Sequence, residues 1–209
     1  MAARLSCCKG ERQERAIRGQ DASSDCQKIL HLCNRHPVRS VRLSLLRRIA
    51  RALLEEAWRG GSFDLAIDLV AAPEMTRLNE AFLRHVGSTD VITFDYAERA
   101  GRGACPSRLS ALSGHFRDRP DVRPALLHGE IVICLDEAAC QARRFHTTWQ
   151  SEMVRYVVHG VLHLLGYDDQ DRRARRRMKA AEDALVRRLA RRFVFSALSR
   201  TWKGRVTDV

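Results

Sequence analysis

The chain has 209 residues, a formal net charge of +12, a sequence pI of about 10.1 and 45% hydrophobic residues. That length suits one domain with a real core, and a charge so far from neutral points to an acidic partner such as nucleic acid. Aromatic residues make up only 6%, which argues against a base-stacking platform for single strands. No run of about 20 apolar residues exists to cross a membrane, and residues 1–25 lack the apolar stretch of a signal peptide. The seven cysteines form no CxxC pair, so neither a zinc ribbon nor a redox dithiol is suggested. Cys134 and Cys140 fall in segments that read as core. The expectation is a soluble protein of the reducing cytoplasm, without a membrane partner.

Residues 1–26 are charged and without apolar periodicity, so 1–27 is read as a poorly ordered tail and 28–192 as one domain. A short strand is expected at Lys28–Cys33. From Val41 to Trp58 the apolar positions Leu45, Ile49, Ala52, Leu53 and Ala57 recur at helical spacing, and Gly60-Gly61 should end that helix. Phe63, Leu65, Ile67 and Leu69 alternate with polar or small residues, the mark of a strand. Pro73 opens a helix with Met75, Leu78 and Phe82 on one face. Asp90–Tyr96 is β-branched and aromatic, hence a strand.

Residues 97–127 hold three of the five prolines and break the pattern, as a long basic loop insertion would. Glu130–Leu135 reads as another strand. Asp136 is a candidate cap for a helix bearing Ala139, Ala142 and Phe145. A long helix from about 171 to 192 has the seam Ala174, Met178, Ala181, Leu185 and Leu189. Arg173, Arg176 and Arg177 belong to a basic run beside that seam, which is either a solvated face or an RNA contact. Residues 193–209 are read as a C-terminal tail. Helices and strands mix without strict alternation, so the expected class is α+β.

Between these elements stands His159-Gly-Val-Leu-His163-Leu-Leu-Gly166-Tyr-Asp-Asp169. Two histidines four apart on a helix share a face and can converge on one ion. Gly166 can take the left-handed conformation that ends a helix, so the chain can return a third ligand from 168 or 169. Three protein ligands and an open fourth position describe a catalytic zinc. The helix around the pair is apolar almost all round, with one polar stripe of Glu152, Arg155, His159 and His163 that needs partners if buried. The glutamate that serves as general base in zinc proteases of the HExxH kind is absent, because its position is Gly160.

These residues resemble the YbeY family of bacterial rRNA maturation factors, metal-dependent endoribonucleases. Leu78-Asn79 followed by Thr89-Asp90-Val91-Ile92-Thr93-Phe94 looks like the family's LN…TDVLSF element. Gly129-Glu130-Ile131-Val132-Ile133 is similar to its GDIxIS strand, Gln141-Ala142 to the helix after it, and the histidine segment to its HGxLHLxGYDH signature. Met178 and Glu182 fit its closing M…E pattern. The resemblance implies a small mixed sheet covered by helices, with a zincin-like metal helix buried against the sheet.

It also implies one zinc per chain, held by His159, His163 and Asp169. Asp169 stands where the family usually has histidine, and Asp168 matches the signature's own aspartate. Single-stranded RNA is the implied substrate, with roles at the 3′ end of small-subunit rRNA, at the ribosomal small subunit, and in ribosome quality control. The family often has an arginine four residues after the asparagine; here that position is Leu83, with Arg84 and His85 beside it, and no catalytic residue is assigned. A zinc-stabilised RNA-binding assembly factor without catalysis is the second reading, and a metallopeptidase the third.

Overall fold

The computed structural model describes residues 27–58, 61–97 and 126–199, and the expectations for the N-terminal tail, for Gly60 and for most of the 97–127 insertion lie outside them. Four strands form one mixed sheet: β1 (Lys28–Asn34), β2 (Ser62–Val70), β3 (Val91–Asp95) and β4 (Leu126–Cys134). Their order is β1-β2-β4-β3, with β3 antiparallel to β4 and the other neighbours parallel. The expected α+β class holds. β4 begins at Leu126, four residues before the strand predicted from Glu130, so the insertion ends sooner than 127.

The helices follow the apolar periodicity. α1 (Leu43–Trp58) links the parallel pair β1 and β2 and buries Leu46, Ile49, Leu53 and Leu54. α2 (Ala72–Leu78) has its proline in the first turn, then widens into a π-turn at Asn79–Leu83. α3 (Leu135–Phe145), α4 (Trp149–Leu164) and α5 (Arg172–Arg192) complete the set.

Strand alternation sorts the two faces of the sheet. Leu65, Ile67, Leu69, Leu127, Ile131 and Ile133 join α1 and α4 in the main core. Val70, Ile92, Val132 and Cys134 face the other way and meet Met75 and Leu78 of α2. The sheet is thus covered on both sides, and α4 lies in the middle of the larger core.

Gly160 explains how close α4 comes. A Cβ at this position would stand 2.7 Å from the Ile131 side chain, nearer than real contacts allow, so α4 can rest on β4 only with glycine there. A glutamate at 160 would collide with the sheet rather than face solvent.

Four expectations need correction. Asp136 does not cap its own helix: Cys134 occupies the N-cap without a side-chain bond, and the Asp136 carboxylate instead accepts from the Ala72 N–H at 2.9 Å and from His36 at 3.0 Å. It therefore satisfies the first turn of α2 across the fold. Phe145, expected on the apolar seam, is 60% exposed at the end of α3. Cys140 is exposed too, whereas Cys134 is buried as expected. Finally, residues 193–199 are no tail. Phe195 and Leu198 sit in a short 3₁₀ turn, 8% and 0% exposed, and Val41 bridges to Ser199. Two apolar residues separated by Ser196 and Ala197 are too short a run to give a periodic signal; only the packed core supplies their pocket.

Leu198→Ala should therefore cost about 3 kcal/mol of stability, as a core truncation does. Chemical denaturation checks it, and a change within about 0.5 kcal/mol, the usual size for surface substitutions, would return the segment to the status of a tail.

Candidate metal and RNA site

α4 starts and stops on signals in its sequence. Thr148 caps it, its hydroxyl oxygen accepting from the Ser151 N–H at 3.2 Å. At the other end Gly166 takes φ 87°, the Gly166 N–H donates to His163 O and the Tyr167 N–H to Leu162 O at 3.0 Å. These paired bonds are a Schellman turn, and they reverse the chain as expected. Asp168 then accepts from the N–H groups of Asp169 and Gln170 at 2.7 and 3.1 Å, holding the next bend. The Asp169 side chain comes back to the helix, and Asp171 caps α5 by accepting from the N–H groups of Arg173 and Ala174.

His159, His163 and Asp169 each offer one ligand atom, all within 4.8 Å of one another, so the cluster could hold a metal ion. Asp168 is engaged in its turn and is outside the group.

The polar stripe of α4 finds its partners on α5. Glu182 is 5% exposed and accepts from Arg155 at 2.6 Å, Lys179 at 2.8 Å and His159 Nδ1 at 3.1 Å. Arg155 also reaches Asp183 at 2.7 Å, and Glu152 accepts from the Thr147 hydroxyl at 2.5 Å. Burial alone would raise the Glu182 carboxyl, but the bonds from His159, Lys179 and Arg155 outweigh it and hold it at about 2. Glu182 is thus a carboxylate at neutral pH and can only accept.

That fixes a proton on each Nδ1. The His159 Nδ1–H donates to Glu182, and the His163 Nδ1–H donates to the Tyr167 carbonyl at 3.1 Å. Burial, and then the neighbouring His159, keep the His163 imidazole below its ordinary pKa, in the neutral form. With both Nδ1 atoms donating, the two Nε2 atoms face each other across 3.0 Å. Two ring nitrogens that close need a proton or a cation between them, and imidazole nitrogens are what a divalent metal takes. The donor set fits a metal, with Glu182 and a backbone carbonyl orienting the ligands from behind.

The cluster opens into a cavity of about 520 Å³, lined also by Asn79, Leu83, His85, Ser88, Thr89, Asp90, Val91 and Thr93. Leu83 and His85 line it, whereas Arg84 does not; Arg84 takes φ 58° and ends the π-turn. Arg173, Arg176 and Arg177 share an outward stripe of α5, all exposed, and none lines the cavity. Arg175 braces the bend from outside, its Nε donating to Asp169 O at 2.9 Å.

The family described as Endoribonuclease YbeY matches residues 31–190. The chain belongs to that family. An endoribonuclease YbeY of Salinibacter ruber is 34% identical over 149 residues, 71% of this chain and 83% of the relative. One from Acidothermus cellulolyticus is 36% identical, covering 66% of this chain and 77% of its own length. In Myxococcus xanthus the relative is 35% identical, yet the match covers only 42% of it. The solution structure of TM1509 from Thermotoga maritima has the same fold, at a TM-score of 0.50 and 23% identity over 78% of this chain and 91% of that one. Membership makes the chain an endoribonuclease, a hydrolase.

Sequence reasoning singled out the three clustered residues but gave Glu182 no role beyond the closing pattern. Its signal was the stripe itself, since a buried arginine and histidine on one helix need a buried acceptor on another.

Glu182→Gln should destabilise the fold by about 2 kcal/mol at neutral pH, discounted for the exposure of Lys179. A carboxyl held below its unfolded value contributes stability above 4.5, which is lost as pH falls toward 2. The gap to the parent protein should therefore close across that window in thermal unfolding, and a gap independent of pH would contradict the ionised network.

Proposed function

We propose that the chain is a zinc-dependent endoribonuclease that cuts single-stranded RNA during ribosomal RNA maturation, at the 3′ end of small-subunit rRNA, with a part in ribosome quality control. The observation that carries this reading is the pair of Nε2 atoms facing each other at 3.0 Å beside the Asp169 carboxylate, in a cavity wide enough for a nucleotide backbone. Family membership supports the reaction type, the +12 charge supports an RNA partner, and among the described residues no helix is long and apolar enough to cross a membrane. A cytoplasmic location and association with the small ribosomal subunit follow from this reading.

His159, His163 and Asp169 would hold one zinc in a zincin-like arrangement. When bound, zinc supplies a Lewis acid for a phosphoryl oxygen and lowers the pKa of water. The chain's own residues do the positioning. Glu182 and the Tyr167 carbonyl each take an Nδ1–H and so turn both Nε2 atoms toward the cavity, and the Schellman turn delivers Asp169. Gly160, pressed against Ile131, leaves no room for the protease-type base beside the histidines, which favours phosphodiester over peptide as substrate.

Elemental analysis of protein purified without chelator should give close to one zinc per chain. His159→Ala, His163→Ala and Asp169→Ala should each lose most of it, whereas Asp168→Ala should retain it. Single-stranded RNA should be cut and casein left intact, with chelator abolishing the cleavage. Full metal retention in the histidine variants would sink the ligand assignment, and metal binding without RNA turnover would favour the assembly-factor reading.

The outward stripe of α5 is proposed as the RNA-binding surface, since Arg173, Arg176 and Arg177 stand on one exposed face just after the Asp169 bend. Phosphate neutralisation releases counterions, so affinity falls with salt in proportion to the contacts made. Replacing all three by Gln should weaken RNA binding and flatten the salt slope by about two to three. An unchanged slope would make the stripe a solvated face.

A further inference from the structure

Among the described residues, the basic side chains of the chain do not line the cavity. Among the described residues lining it are two carboxylates, Asp90 and Asp169, and neither lysine nor arginine. A divalent cation at the cluster would only balance those two charges, leaving nothing to offset an incoming phosphodiester. The polar groups on the far wall are mostly engaged. Asn79 Nδ2 donates to Gly87 O at 2.8 Å, the Thr89 hydroxyl to Asp90 at 3.2 Å, and the Ser88 hydroxyl to Thr89 O at 3.5 Å. Thr93 Oγ1 has no partner but is buried away from the surface. Outside the clustered trio, one side chain on the wall can donate to an anion and also carry positive charge: His85.

The loop holds that residue in place. Asn79 is 4% exposed at the start of the π-turn, and its carbonyl accepts from the N–H groups of Arg84 and, at 3.4 Å, His85. Its side chain anchors Gly87 on the other flank. One buried asparagine thus ties down both sides of residues 84–87. Arg84 adopts the left-handed conformation, and His85 rather than Arg84 lines the cavity.

We propose that His85 is a substrate-contacting residue, its ring donating to a non-bridging phosphate oxygen of single-stranded RNA in the cavity. The proposal rests on the endoribonuclease reading and extends it from the metal corner to the opposite wall. His85 is exposed and belongs to neither hydrophobic cluster, so its substitution leaves the fold and the His159–His163–Asp169 cluster intact.

The test uses the full chain loaded with zinc, with His85→Ala and His85→Lys beside the parent. Cleavage of a single-stranded RNA gives kcat and KM, and fluorescence anisotropy with a 2′-O-methyl oligonucleotide of the same sequence gives affinity without turnover. Zinc content and thermal unfolding serve as controls. His85→Ala should lower kcat/KM and oligonucleotide affinity by about tenfold, with the loss mainly in KM and the zinc content unchanged, as expected for one charge-assisted hydrogen bond. His85→Lys should recover most of both. Parent-like KM and affinity in His85→Ala would overturn the proposal while leaving the endoribonuclease reading intact. Equal loss in both variants would overturn it too, since the loop and not the positive donor would then matter. A parent protein that neither cuts nor binds RNA would remove the reading and the proposal together.

Discussion

The polar stripe of α4 lies inside a helix buried on nearly every side, and each of its groups must find a partner there or be paid for in stability. Glu152 takes the Thr147 hydroxyl just before the helix, Arg155 takes Glu182 and Asp183, and His159 takes Glu182. His163 takes the Tyr167 carbonyl, four residues on. The lengths and positions of α5 and of the bend between the two helices follow from these demands. α5 must run alongside α4 with its acidic positions inward, and the bend must be tight enough to offer a carbonyl four residues after the second histidine.

One consequence is a division of charge on α5. Its inward side carries Glu182 at 5% exposure among Ala174, Met178, Leu185 and Leu189, while its arginines are turned to solvent. The helix therefore does two jobs at once. It orients His159 from behind through a carboxylate, and it presents a basic surface that need not enter the cavity. The other wall of the cavity comes from a different device, the π-turn at Asn79–Leu83. An extra residue per turn buries Asn79, lets its carbonyl collect two N–H groups, and offsets the following loop so that Leu83 and His85 face inward.

Close packing beneath the site completes the constraint. Gly160 lets α4 descend onto Ile131, and that descent brings the His159–His163 face to the edge where β3 ends the sheet and the cavity opens. A larger residue at 160 would lift the helix and separate the histidines from the wall that contains Thr89, Asp90 and Thr93.

The sequence by itself determined whatever depends on neighbours along the chain. The i, i+4 spacing of His159 and His163, the glycine at the left-handed position 166, the alternation in β2 and the seam of α5 are all local patterns with a period, and they held. So did the α+β class, because alternating and helical runs are visible without knowing how they pack. Only the tertiary structure decided what rests on distant partners. Asp136, a plausible cap by position, serves Ala72 instead, because the start of α2 lies within reach of its carboxylate. Phe195 and Leu198 lack periodicity yet fill the core, and the insertion ended earlier because β4 is lengthened by pairing with β2. Glu182 could be placed in a pattern but not opposite His159, since 23 residues and a reversal of the chain separate them. A side chain's local neighbours are written in order along the sequence; its buried partners are chosen by the fold, where desolvation penalises a polar group left without one.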